Sequence, residues 1–193
     1  MDKKGHLYLI MGTAGAGKGT LRKNLEKDKN IDIKFLKSYV SRVMRKGEID
    51  GDIYHFVSEE VFKKMIAGEE FLEYEIVHKT AYYGTKLSDV VENGIDAGIK
   101  VCKEIDIEGL KNILKNNPQL KENITSIFLS LTPEKLHERI EARGAHITDI
   151  ELKNREESLV KEVREAKEYC DHIIDTSEKT PEEVLAEVVR ILK

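Results

Sequence analysis

One run constrains this chain more than any other: Gly12-Thr13-Ala14-Gly15-Ala16-Gly17-Lys18-Gly19-Thr20. The apolar stretch His6 to Met11 precedes it and reads as a buried strand, while Leu21 and Leu25 among charged residues read as the first turns of a helix. Strand, glycine-rich turn and helix, in that order, are the setting of a phosphate-binding loop. Glycines let the backbone curl until successive N–H groups converge on an anion, and the following helix adds its positive end. Lys18 supplies a full charge that can reach the outer phosphates of a nucleoside triphosphate. The strict pattern places Ser or Thr directly after the lysine; here Gly19 stands there, and Thr20, one place later, is the nearby hydroxyl for a magnesium ion. The alternative is an ordinary glycine-rich turn.

The chain has 193 residues, enough for one domain with a sizeable core. It is 35% charged and 40% apolar with net charge −4, which excludes a disordered chain and gives no electrostatic reason to expect nucleic acid or a membrane surface as partner. No apolar run approaches a membrane span, and the first strand begins so near Met1 that no signal peptide is expected. Cys102 and Cys170 read as two separate buried thiols, which suits a cytoplasmic protein, and the six His show no metal-ligand spacing.

Further along, Ile31 to Leu36 alternates and predicts a strand. The stretch Ser38 to Val57 is irregular and carries Arg42, Arg45 and Lys46, two glycines and Tyr54. Arginine forks suit a phosphate, although composition alone leaves this stretch equally a solvated loop. Ser58 opens a helix with Val61, Phe62, Met65 and Ile66 on its apolar face and Gly68 at its end. Strands are predicted for Phe71–Val77 and Tyr82–Thr85, and a short helix for Ser88–Asn93 with Gly94 past its end. Gly98 to Asp106 reads as a buried strand ending in Glu104 and Asp106, acids that face a ligand crevice or merely start a loop. A helix over Ile107–Asn116 stops at Pro118, and Ile124–Leu131 is the most continuous apolar strand. Thr132-Pro133 starts a helix carrying Leu136, Arg139, Ile140 and Arg143, ended by Gly144. Thr148–Glu151 and Thr180–Glu183 are capping boxes opening the last two helices. The first of these carries Arg155 and an apolar face of Leu159, Val163, Ala166 and Cys170. A strand over His172–Asp175 precedes the final helix, whose core face is Val184, Leu185, Val188 and Leu192. Strands alternating with helices predict an α/β fold, a mainly parallel sheet with helices on both faces. The segment from about 38 to 88 interrupts the alternation and predicts a small lobe beside the core.

In this order the motifs resemble those of guanylate kinases, and the likeness covers nearly the whole chain. They are Gly15 to Lys18; Ser38, Ser41, Arg42, Arg45 and Glu48; Gly51-Asp52-Ile53-Tyr54-His55-Phe56-Val57; Phe71-Leu72-Glu73; Tyr82 to Thr85; Arg139, Arg143 and Gly144; and the later Arg155. The loop's Gly-Lys-Gly-Thr ending also resembles that of adenylate kinases. The resemblance implies a P-loop kinase fold with a core over about 1–37, 89–138 and 158–193, a monophosphate-binding lobe over about 38–88 and a lid over about 139–157. It implies ATP and GMP as substrates and Mg2+ held through the phosphates. Arg42 and Arg45 become the implied monophosphate clamp, with Tyr54 and Tyr83 adding hydroxyls. Glu73 becomes the implied guanine reader, with Ser38 and Thr85 donating to the other base edge. Glu104 and Asp106 stand where the family contacts the base or magnesium-bound water, and Lys18, Arg42, Arg139, Arg143 and Arg155 are the implied catalytic cations. The chain departs from the family in having Glu104 for the first Asp of Asp-Ile-Asp, and in small insertions before Tyr83 and Arg155.

The implied reaction is ATP-dependent phosphorylation of GMP to GDP. Two other readings compete with it: a related phosphotransferase acting on another acceptor such as a ribose 1,5-bisphosphate, and a non-catalytic guanylate-kinase-like binding module. Ser38, Glu73 and Thr85 argue against the first, and Lys18 with the arginines argues against the second.

Overall fold

A computed structural model describes residues 4–77, 80–142 and 147–193 of the chain. The elements run β1 (His6–Gly12), α1 (Lys18–Lys27), β2 (Lys34–Phe35), β3 (Ser38–Val40), β4 (Tyr54–Phe56), α2 (Glu59–Ala67), β5 (Phe71–Val77) and β6 (Ala81–Lys86). Then come α3 (Leu87–Val90), β7 (Lys100–Glu104), α4 (Ile107–Asn116), β8 (Ile124–Ser130), α5 (Pro133–Ala142), α6 (Asp149–Tyr169), β9 (His172–Asp175) and α7 (Pro181–Leu192). One sheet has the order β2-β7-β1-β8-β9 and the other β4-β3-β6-β5. In the first, β2 pairs with β7 and β8 with β9 in parallel. The architecture is α/β, a mainly parallel sheet flanked by helices.

The chain divides into two compact units. The loop-bearing unit comprises Tyr8–Asp32, Glu104–Leu110 and Thr125–Lys193. Its strands are buried on both faces: Leu9, Ile10 and Met11 in β1 and Ile127, Phe128 and Leu129 in β8 have essentially no exposed surface. Both capping boxes form, Thr148 with Glu151 and Thr180 with Glu183, so α6 and α7 begin where their sequences dictate. The other unit comprises Met1–Leu7, Ile33–Lys103 and Lys111–Ile124 and contains the four-stranded sheet. On one face of that sheet Phe62 of α2 stacks on Phe71 at 4.4 Å and lies 5.3 Å from Tyr82. Gly84 is needed there, since a Cβ on it would meet the Phe71 ring at 2.8 Å.

Several expectations are corrected. The strand expected over Ile31–Leu36 shrinks to Lys34–Phe35, because it lies at the sheet edge and pairs only with β7. Val61 is 43% exposed; the turn that buries Phe62 and Met65 carries its neighbour outward. Leu185 and Val163 are half-buried rather than core. Gly94 lies inside a wide turn that continues α3, Val91–Ile95, closed by the Asp96 N–H on the Val91 carbonyl at 2.8 Å. Its missing side chain leaves room for Val101, which would stand 3.0 Å from a Cβ there. Pro118 stops α4 as expected, but the chain goes on in a 3-10 turn over Pro118–Asn123. Cys170 caps α6 from outside it, half-buried, while Cys102 is fully buried in β7, and neither forms a disulfide. Gly144 lies outside the described residues. No described helix is long and apolar enough to cross a membrane.

Candidate active site

In the loop-bearing unit the chain leaves β1 at Gly12, whose φ of +154° and Cβ direction both exclude a side chain: a Cβ would meet the Leu129 carbonyl oxygen at 2.4 Å. Gly17 sits in the left-handed region at φ +97° as the N-cap of α1 and provides no capping side chain. The amides at this helix start are therefore left to a ligand. The Lys18 ammonium curls back over the loop and donates to the carbonyls of Gly12 and, at 3.2 Å, Thr13. Burial lowers its pKa, while the charges of Glu104 and Glu162 push it back up. The Thr13 hydroxyl is buried without a hydrogen-bond partner among the described residues, an arrangement that an oxyanion or ordered water in the loop would relieve.

Beside the loop lies a cavity of about 260 Å³, lined by Gly15, Ala16, Gly17 and Thr20 on one side and Thr176, Lys179, Pro181 and Val184 on the other. Arg139 of α5 forms part of its wall. One guanidinium nitrogen donates to the Gly15 carbonyl at 3.0 Å and the other to the Thr176 carbonyl at 2.5 Å, so this arginine ties the loop to the turn before α7. The Thr176 hydroxyl donates to the Ala16 carbonyl at 3.1 Å. No sequence motif marks the β9–α7 turn, because Thr176 and Lys179 belong to no dense cluster of charge or glycine.

Glu104 lies in this unit too, 3.7 Å from Arg22 and felt electrostatically by Lys18. Asp106 caps α4: its Oδ1 accepts the Gly109 N–H at 2.7 Å, which commits one carboxylate oxygen to the helix. Arg155 is exposed on α6, and Arg143 lies outside the described residues.

The second unit gathers most of the residues expected to hold the acceptor. Ser38 pairs with Tyr54, Tyr39 with Gly84, and Glu73 with Thr85. Extending the β3–β6 register by one sets Ser38 opposite Thr85. Tyr54, Ser38, Thr85 and Glu73 therefore form one cross-strand row over β4, β3, β6 and β5, on a common face. Thr85 is 1% exposed and donates to Glu73 Oε1 at 2.5 Å. In this structure the Thr85 proton orients the Glu73 carboxylate.

Tyr83, one row on, receives the Arg42 Nε–H at 2.8 Å. The Arg42 fork grips both oxygens of Glu48 at 2.6 Å, and its guanidinium lies 5.2 Å from the Tyr54 ring centroid and 5.3 Å from that of Phe56. Glu48 also accepts the Arg45 backbone N–H at 2.7 Å. The Arg42 fork, with that N–H behind it, holds the Glu48 carboxylate down to about 2. Arg42 is thus fixed in one orientation while the Arg45 side chain is exposed. The acid at 48, three residues after Arg45, was visible in the sequence, but only the fold reveals which cation it holds.

A family model described as guanylate kinase matches residues 4–193. A guanylate kinase of Histophilus somni (strain 129Pt) is 40% identical, covering 89% of this chain and 80% of that protein. One of Clostridioides difficile (strain 630) is 36% identical, covering 92% of this chain and 83% of that one. The crystal structure of guanylate kinase from Anaplasma phagocytophilum has the same fold, with a TM-score of 0.70 at 22% identity over 98% of this chain and 85% of that chain. With a match over nearly all its length and relatives 36–40% identical, the chain belongs to the guanylate kinase family.

Proposed function

We propose that this protein is a guanylate kinase that transfers the γ-phosphoryl group of ATP to the phosphate of GMP, giving ADP and GDP. The observation that carries the acceptor is the row Tyr54, Ser38, Thr85, Glu73 with Arg42 and Tyr83 beside it. A carboxylate only accepts hydrogen bonds. Guanine presents a ring N–H and an exocyclic amine side by side, a pair that Glu73 can take and adenine cannot offer. Ser38 serves the opposite edge of the base. Arg42, held by Glu48, and Arg45 bind the monophosphate with the hydroxyls of Tyr54 and Tyr83.

ATP places its phosphates in the loop from Gly12 to Thr20 and its nucleoside along the cavity between Gly15 and Val184. A phosphate oxygen of GMP attacks the γ-phosphorus in line. That oxygen is already ionised near neutral pH, so no protein base is required, and catalysis is positioning plus charge neutralisation. Lys18 leaves the loop carbonyls for the phosphate oxygens; Arg143 and Arg155, in a lid over about 139–157, offset charge on the transferring group, and Arg139 fixes the loop's outer wall. Magnesium fits this donor set: Thr20 offers a hydroxyl on the wall of the same cavity, and an ion held mostly by phosphates and water needs only one or two protein oxygens. When bound, the ion draws charge from the phosphate oxygens.

The test is ADP release against GMP, dGMP, IMP, AMP, CMP, UMP and ribose phosphates. Turnover with GMP and dGMP far above the others is expected. Preference for a ribose phosphate, or no ADP with any acceptor, overturns the proposal.

A further inference from the structure

Strand β7 carries a charge within its buried stretch. Val101 and Cys102 are fully buried, and Lys103, next in line, is only 7% exposed. A buried ammonium is tolerated when hydrogen bonds replace its water. Its Nζ donates to Ser38 Oγ on β3.

That contact decides what Ser38 can do. A hydroxyl has one proton and two lone pairs, whereas an ammonium has donors and no acceptor. The bond therefore uses a Ser38 lone pair and leaves the Ser38 proton for another partner. In the row across the sheet, the Thr85 proton is committed to Glu73. Of these two hydroxyls, Ser38 is the one with a proton to give to a base. A charged donor behind it polarises its O–H and strengthens what it gives. Guanine offers acceptors at O6 and N7, whereas adenine has an amino donor at position 6.

We infer that Lys103 is a positioning and specificity residue of the acceptor site: it makes the Ser38 hydroxyl a dedicated donor and so selects 6-oxo over 6-amino purines. This rests on the GMP reading above and divides its labour. Lys103 and Ser38 read the 6-position, and Glu73 with Thr85 reads the ring N–H and 2-amino group. Nothing in the motifs marked Lys103, because it reports through a serine 65 residues earlier.

The probes are GMP, 6-thio-GMP, which exchanges only the 6-oxygen for a weaker acceptor, and IMP, which lacks only the 2-amino group. In Lys103→Met, kcat/KM for GMP is expected to fall about twofold to tenfold, mostly through KM, as for weakening of one neutral hydrogen bond to the base. The preference for GMP over 6-thio-GMP should shrink toward unity, while the preference over IMP and the KM for ATP stay as in the wild type. Ser38→Ala should show the same pattern, the double variant no further loss, and Lys103→Arg a partial return of the 6-oxo preference. A wild-type ratio of GMP to 6-thio-GMP in Lys103→Met overturns the inference. Should that variant fail to fold, the same unchanged ratio in Ser38→Ala overturns it equally. Absence of GMP turnover in the wild-type protein would instead strike the proposed function itself.

Discussion

Replacing Glu73 by Gln alters a single atom, and the structure fixes what that atom costs. In the wild type Glu73 Oε1 takes the Thr85 proton at 2.5 Å, and Thr85 is buried. Glutamine has two ways to sit. If its amide oxygen keeps the Thr85 bond, its NH2 faces the donors of guanine. If the amide turns over, its NH2 faces Thr85, whose proton is then left without its acceptor. Either way one hydrogen bond to a charged group disappears, worth about 1.5–3 kcal/mol. At a tenfold change for about every 1.4 kcal/mol, kcat/KM for GMP should fall about tenfold to about a hundredfold. The loss is larger if donor is left facing donor. KM for ATP should hold, and the preference for GMP over IMP should collapse, since the 2-amino group loses its reader. Coupled ADP-release kinetics with each nucleotide varied in turn give all three quantities. Equal damage to the GMP and ATP parameters, or an intact preference over IMP, would refute guanine reading by this carboxylate.

Lys18→Ala should lower kcat by about a hundredfold to a thousandfold or more, as for loss of one preorganised donor, with the far-UV spectrum and melting temperature unchanged; normal turnover would remove Lys18 from the chemistry. Glu48 has its pKa depressed from 4.5 to about 2 by Arg42 and the Arg45 N–H, so its contribution to stability is present above about pH 4.5 and fades as pH falls toward 2. A melting-temperature series should show Glu48→Gln below wild type at neutral pH, with the gap closing in that acid window; a gap independent of pH would contradict the ion pair. The Gly12→Ala change forces a Cβ to within 2.4 Å of the Leu129 carbonyl oxygen, so the protein should melt lower and lose ATP binding together, measured by thermal denaturation and calorimetric titration. Asp106→Ala should remove about 0.5–2 kcal/mol of stability as a lost helix cap while Asp106→Asn retains it; equal denaturant midpoints for the two variants would argue against capping.

What could be read without coordinates was what neighbouring residues decide among themselves. The loop from Gly12 to Thr20 follows from glycine's freedom and a lysine beside a helix start. The starts of α6 and α7 follow from a threonine and a glutamate three residues apart, and both boxes form as written. The limits of β5 and α4 follow from local patterning in the same way. Such signals act within a turn or two of chain, so they survive whatever the rest of the molecule does.

The candidate acceptor site was decided at longer range. Tyr54, Ser38, Thr85 and Glu73 meet in a row only because three strand registers agree, and a slip of one residue would send alternate members to the opposite face. Arg42 was recognisable as a candidate phosphate ligand, but its orientation comes from Glu48 and Tyr83 together, the latter 41 positions away. Asp106, a candidate site acid, gives one of its oxygens to the start of α4, and Lys103 is buried against Ser38. The kinds of groups present were set by the sequence. Which proton each group keeps for a ligand was set by tertiary packing, because a hydroxyl or carboxylate already bonded inside the fold has that much less to offer outside it.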